Sequence, residues 1–208
     1  MTSRERVVAA LAHREPDRVP LDLGGGATSS MHVSSVHALR QGLGLDRPGT
    51  PVKVVDPFQM LGEIEDDLRD ALGVDVVGVR GPRTPFGFEN RDWKEWRTFD
   101  GTPVLVPGLF NITPEPDGSL LMYPEGDRAA PPSGRMPAGG WYFDAIIRQE
   151  PLDEERLDPA DNAEEFQPVS DATVEHFRAG IAAAHASGRA VMASFGGTGF
   201  GDIAHIPA

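Results

Sequence analysis

Two glycine-rich stretches carry the residue types from which a site can be built. The first, DLGGGATSSMH, runs from Asp22 to His32 directly after the apolar run VPL. A carboxylate, three residues without a Cβ and then a pair of serines put an acceptor, bare backbone N–H groups and hydroxyls close together in the chain. This combination suits an anionic ligand. Gly24, Gly25 and Gly26 let such a ligand approach the backbone, and Ser29 or Ser30 caps a following helix whose N-terminus favours negative charge. The same glycines also make a tight strand-to-helix turn with no ligand involved. No Gly-Lys-Ser follows them, so the stretch is not a phosphate loop. The second stretch, GGTGFGD, offers Gly197, Thr198, Gly199 and Asp202 after another apolar run, without the order of a dinucleotide fingerprint.

The other candidates are polar residues at the ends of apolar segments. Asp56 and Gln59, in VDPFQ, either face a pocket or leave Asp56 as a helix N-cap before Pro57. Asp22 and His32 are the best candidates for catalytic groups; Ser30, Asp56 and Gln59 join the glycines as candidate binding groups. His37 lies five residues after His32, which on a helix turns the rings about 140° apart and argues against a shared metal. Asp202 and His205 form an isolated Asp-x-x-His pair, weak evidence for a metal. His176 and His185 read as surface or packing residues. The chain has no cysteine, hence no thiolate nucleophile, no disulfide and no cysteine-bound zinc.

The 208 residues are 39% hydrophobic and 25% charged, the composition of a globular protein with one sizeable core. With 19 basic against 32 acidic residues the formal charge is −13, which repels phosphate backbones and anionic lipid heads. Nucleic acid and membrane are therefore not expected partners. No signal-peptide core and no run near the ~20 apolar residues of a bilayer span is present, so a cytoplasmic protein is expected.

The elements that must position these residues alternate in type. TSRERVVAALAH reads as a helix with a Thr2/Glu5 capping box and an apolar stripe of Val7, Val8 and Leu11. It is ended by Pro16 and Pro20. Strands are predicted at 19–23, 52–55, 73–79 and 189–195, and helices at 30–43, 61–72 and 171–186, the last capped by Ser170. Strands and helices in alternation imply parallel pairing with right-handed crossovers. Between the third and fourth strands, at about 90–140, Asp100-Gly101 and Asp117-Gly118 mark an antiparallel hairpin insertion, followed by the Pro- and Gly-rich loop DRAAPPSGRMPAGG. Trp93, Trp96 and Trp141 form a small core for this insertion or a platform for a protein partner. The fold class is α/β: a partial (β/α)8 barrel of about four βα units, roughly half of a fold whose usual length is about 250 residues. The chain is expected to be the front part of something longer, since an open half-barrel exposes two strand edges.

The words TSRERVVAALAHREPDRVPLDLGG, VDPFQMLGEIEDDLRDALGVDVVGV, WRTFDGTPVLVPGLFN, LMYPEGDRAAPPSGRMP and FGGTGFGDIAHIPA resemble the uroporphyrinogen decarboxylase superfamily, and more narrowly its corrinoid-linked methyltransferase branch. The resemblance implies the N-terminal portion of a single (β/α)8 barrel domain. True decarboxylases carry an arginine-rich loop after the first strand and an essential aspartate just beyond the third. Here the loop has no arginine, and Arg80-Gly81-Pro82 follows GVDVVGV. A tetrapyrrole with many carboxylates needs several guanidinium forks, so porphyrinogen decarboxylation is disfavoured. The methyltransferase branch implies a zinc held by a His-x-Cys pair and a distant Cys in the C-terminal half, with the methyl group delivered on a corrinoid protein. Such ligands do not occur in this chain, which is therefore expected to bind no cofactor and to be inactive alone. A small molecule or a tetrapyrrole or corrinoid is the expected ligand, and a non-catalytic split or truncated binding module is the alternative to an enzyme.

Overall fold

The computed structural model describes residues 1–148 and 168–194. Helix α1 (Ser3–Leu11) opens as its sequence requires: the Thr2 hydroxyl accepts from Glu5 N at 3.2 Å, and the Glu5 carboxylate accepts from Thr2 N at 2.8 Å. Its buried side is not the expected apolar stripe. Arg6 and Ala9 face inward, while Val8 and Leu11 are exposed. Arg6 turns inward because Asp75, wholly buried, accepts its Nη1 at 2.6 Å. Arg18 binds the same carboxylate at 2.8 Å. Burial alone would raise the Asp75 pKa, but hydrogen bonds from Leu21 N, Ser3, Arg6 and Arg18 outweigh it and hold the acid below its ordinary range.

Helix α2 (Val33–Gly42) starts three residues after Ser30, with His32 as its N-cap instead of Ser29 or Ser30. Its inward residues Val33 and Val36 are fully buried. Strand β1 (Val52–Asp56) follows, then the two-residue β2 (Leu61–Gly62), which replaces the expected start of a helix. Met60, with a φ of 50°, reverses the chain between them. Helix α3 is consequently short (Asp66–Leu72) and ends on left-handed Gly73, so β3 begins at Val76. Arg40 is buried where α2 meets α3, bound to Asp46 at 2.6 Å and Asp67 at 2.8 Å.

The insertion holds the two predicted hairpins. β4 (Lys94–Arg97) and β5 (Pro103–Val106) turn at Gly101, and β6 (Ile112–Pro114) and β7 (Leu120–Met122) turn at Gly118. The stretch expected as loop contains a further strand, β8 (Gly134–Met136), which pairs with β7 and with β9 (Asp144–Ala145). Helix α4 (Asp171–Ala186), capped by the Ser170 hydroxyl on Thr173 N, leads into β10 (Ala190–Ala193).

Three sheets result. β2-β1-β5-β4 contains a parallel β1/β5 pair, β6 to β9 form an antiparallel meander, and β10 pairs with β3 in parallel, Ala190 opposite Val76 through Ala193 opposite Val79. The fold is mixed α/β with no closed barrel among the described residues. β1 does not pair with β3, because β2 and β5 already occupy its two edges. The segment 19–23 is not a strand by its hydrogen bonding. No described helix is long and apolar enough to cross a membrane.

Candidate functional site

The glycine loop is built by backbone contact with β3. Asp75 N donates to Leu21 O at 2.8 Å. A Cβ on Gly25 would stand 2.9 Å from Val76 Cγ1, and one on Gly78 would stand 2.8 Å from Gly24 O and closer still to Gly25 O. Beyond these, Arg80 Nη2 reaches Gly26 O at 3.4 Å and Ser30 Oγ at 2.6 Å. The loop thus climbs in the same direction as β3, residue 21 beside 75 and residues 26 to 30 beside 80. Val77 and Val79 point the other way, into a small apolar cluster with Phe177 and Ala184 of α4. Gly78 must be glycine because a carbonyl lies where its side chain would be.

Within the loop the backbone donors are already engaged. Gly25 N donates to Asp22 Oδ1 at 2.9 Å, Gly26 N to Ser29 Oγ at 3.1 Å, and Gly24 N to Ser29 O at 3.0 Å. The three N–H groups read from the sequence as open to an anion therefore hold the turn together. Gly24, with a φ of 83°, is the residue that needs the left-handed region. What the loop presents outward is Ser30, whose hydroxyl donates to Gly26 O at 2.7 Å and accepts from Arg80.

A cleft of about 1040 Å³ opens between the β1 side, with Lys53 and Val55, and the β3/α4 side, with Val79, Arg80 and His176. Gly24 and Ser30 line it, whereas Asp22, Gly25, Gly26, His32, Asp56 and Gln59 do not. Asp56 is buried and accepts from Phe58 N at 3.0 Å and Gln59 N at 3.1 Å, closing a turn and capping no helix. Gln59 is exposed. Gly197, Thr198, Gly199, Asp202 and His205 lie outside the described residues.

His32 sits in a separate hollow with Met60, Trp96, Phe99 and Trp141. Its Nδ1 accepts from Ser34 N at 3.2 Å and its Nε2–H donates to Trp141 O at 2.8 Å, so one imidazole both caps α2 and fastens the insertion to it. Burial pushes its pKa below the ordinary 6.5, against the pull of the Trp141 carbonyl and Asp100. Of the tryptophans, Trp96 packs on Phe110 in the core, Trp141 is half exposed, and Trp93 lies under Lys53 with the ammonium 5.6 Å from its ring centre. His176 Nε2–H donates to Arg80 O at 2.9 Å, tying α4 to the end of β3.

Arg80 is the site residue that pattern reading passed over. Its signal was its place, the first polar residue after an apolar strand. Its significance depends on tertiary pairing, which no spacing reveals. Among the described residues no three His, Cys, Asp or Glu side chains converge on a point suited to a metal. With no cysteine in the chain, these residues do not fit a thiolate-held zinc. Comparison with known proteins finds no matching family model, no matching curated protein and no matching solved structure.

Proposed function

We propose that the chain is the N-terminal part of a uroporphyrinogen-decarboxylase-like (β/α)8 barrel enzyme of the corrinoid-linked methyltransferase branch, acting in the cytoplasm. The observation that carries this reading is the joint course of residues 21–30 and 75–80. The glycine loop, Ser30 and Arg80 gather at the C-terminal end of β3, which with α4 and β10 makes a parallel crossover unit. In barrel enzymes that end of the strands is where substrate is bound. The reaction is methyl transfer between a methylated corrinoid on a partner protein and a thiol or similar acceptor. The residues of this chain contribute a substrate wall and no metal ligand. The zinc of that branch would be held by a C-terminal half.

Porphyrinogen decarboxylation is the weaker reading, because the glycine loop offers no guanidinium for a tetrapyrrole's many carboxylates. A non-catalytic binding module is favoured by one observation, the engagement of the loop's own N–H groups. The test is to read the coding sequence in frame beyond Ala208, express the extended protein and mix it with zinc, methylcobalamin and a thiol. Zinc uptake with thiol-dependent loss of the methylcobalamin spectrum supports methyl transfer. An extension without His-x-Cys, or a stop codon followed by no partner half, removes it.

A further inference from the structure

The cleft is lined by four lysine and arginine side chains, and three are already neutralised. Lys53 pairs with Glu63 at 3.0 Å, Arg69 with Asp66 at 2.8 Å and Arg83 with Glu125 at 2.8 Å. Arg80 makes no ion pair among the described residues. In a chain with 32 acidic against 19 basic residues, a cation left without a carboxylate runs against the average field. Arg80 is half-buried, so it has lost part of its water without gaining a direct ion pair among the described residues, and Asp56 acts on it only at longer range. Burial lowers its pKa and the charge of Asp56 raises it. It remains a cation, as arginine does throughout the ordinary pH range.

Its setting is rigid. Ser30 Oγ and Gly26 O take Nη2, while Nε and Nη1 make no hydrogen bond among the described residues. Three of the five guanidinium N–H groups remain for a ligand. The backbone behind is fixed by His176 on Arg80 O, and the loop in front by the Gly25 turn. Val55, Val79 and Trp93 supply apolar surface within a lining that is otherwise largely polar. A volume of about 1040 Å³ is at the upper end of small-molecule sites, roughly 300–1,000 Å³.

We infer that Arg80, braced by Ser30, is the recognition group for a small molecule bearing one carboxylate on an apolar body, bound in the cleft between β1 and α4. One cation without a direct ion pair among the described residues matches one negative charge. A phosphate, carrying nearly two, would meet the lining Glu63, Asp66 and Glu89, while Lys53, Arg69 and Arg83 are already paired with carboxylates. Charge-assisted hydrogen bonds to the guanidinium would hold the carboxylate, and the valines and Trp93 would cover the body. The inference stands on this cluster alone, whatever reaction the complete site performs.

The probe is benzoate, with benzamide as its neutral isostere and inorganic phosphate as the second anion. Binding to the 208-residue chain is followed by calorimetry and by the arginine Nε signals in NMR. Benzoate should saturate and shift the Arg80 Nε signal, with benzamide and phosphate each at least tenfold weaker. Arg80→Gln should weaken benzoate at least tenfold, Arg80→Lys about threefold to tenfold, and Ser30→Ala about twofold to fivefold. Circular dichroism checks that each variant folds, and Arg80→Lys keeps the charge should Arg80→Gln unfold. The inference is overturned if the chain binds no benzoate, if benzamide or phosphate binds as tightly, or if a folded Arg80 variant binds benzoate as the parent does. No methyl donor is present, so failure here leaves the proposed methyl transfer standing, and failure of that reaction leaves this site standing.

Discussion

The molecule has two cores of very different construction. The larger, around β1, β5, α2 and the meander, is built on a broad apolar cluster in which Val33, Val36, Val54, Met60, Val104, Val106, Phe110, Met122 and Phe143 meet, with Arg40 and Asp56 buried at its margins. The smaller, around β3, β10 and α4, buries only Val77, Val79, Phe177 and Ala184. It is held to the rest by charge: Asp75 between Arg6 and Arg18, and Arg189 bound to Asp70 and to Val74 O. The cleft lies at their junction, walled on one side by the dense core and on the other by the polar-tied unit. Elements that bind and move are drawn from the less stable end of a protein, and the small apolar core of the β3/α4/β10 unit makes it the part expected to open first.

The contrast can be broken in order of expected effect. Phe110→Ala removes a ring packed on Trp96 and Phe143 and should cost about 3–5 kcal/mol in urea unfolding. Loss spread over the whole molecule is expected; a loss confined to the meander would show that the large core is not one unit. Asp75→Asn removes the buried carboxylate shared by Arg6 and Arg18, leaving Arg6 with Asp17 alone, and should cost about 3 kcal/mol. Hydrogen exchange should then quicken in β3 and β10 before β1 and β5. Equal quickening in both would erase the distinction between the cores. Gly78→Ala drives a methyl into the Gly24 and Gly25 carbonyls and should cost about 2 kcal/mol, read as a lowered melting temperature. No change in melting would mean the loop does not rest on β3.

The smallest effect is the pH response of His32. Its pKa is depressed in the folded state, so the unfolded chain takes up the proton first on acidification. Its contribution is fully present above about 6.5 and is lost as pH falls below that value toward the folded pKa. His32→Gln, which does not titrate, should flatten the stability profile between pH 7 and 5, roughly one unit either side of the imidazole range. An unchanged profile would remove the imidazole from the junction of α2 and the insertion.

Local signals were legible and tertiary ones were not. The Thr2/Glu5 box, the Ser170 cap and the Asp-Gly turns stand in the structure where their spacing put them, because each depends only on chain neighbours. Ser29 and Ser30 are better capping types than histidine, yet α2 starts at His32 because the serine side chains are spent on Gly26 and Arg80. Leu61 fits a helical period, but Met60 reverses the backbone and hands Leu61 to a strand. Val8 and Leu11 make an apolar pair on α1 that a buried ion pair overrides. Within the candidate site, Gly24 and Ser30 were found from composition, whereas Arg80 needed knowledge of which cations already had partners.

The contact between Gly78 and the glycine loop has a consequence for how this molecule can change over generations. The separation of loop and strand fixes the height of Ser30, and Ser30 sets the pitch of the Arg80 guanidinium. A substitution at position 78 would tilt that guanidinium without replacing it. Selectivity in the proposed site could therefore be tuned from a position that has no side chain of its own to offer a ligand.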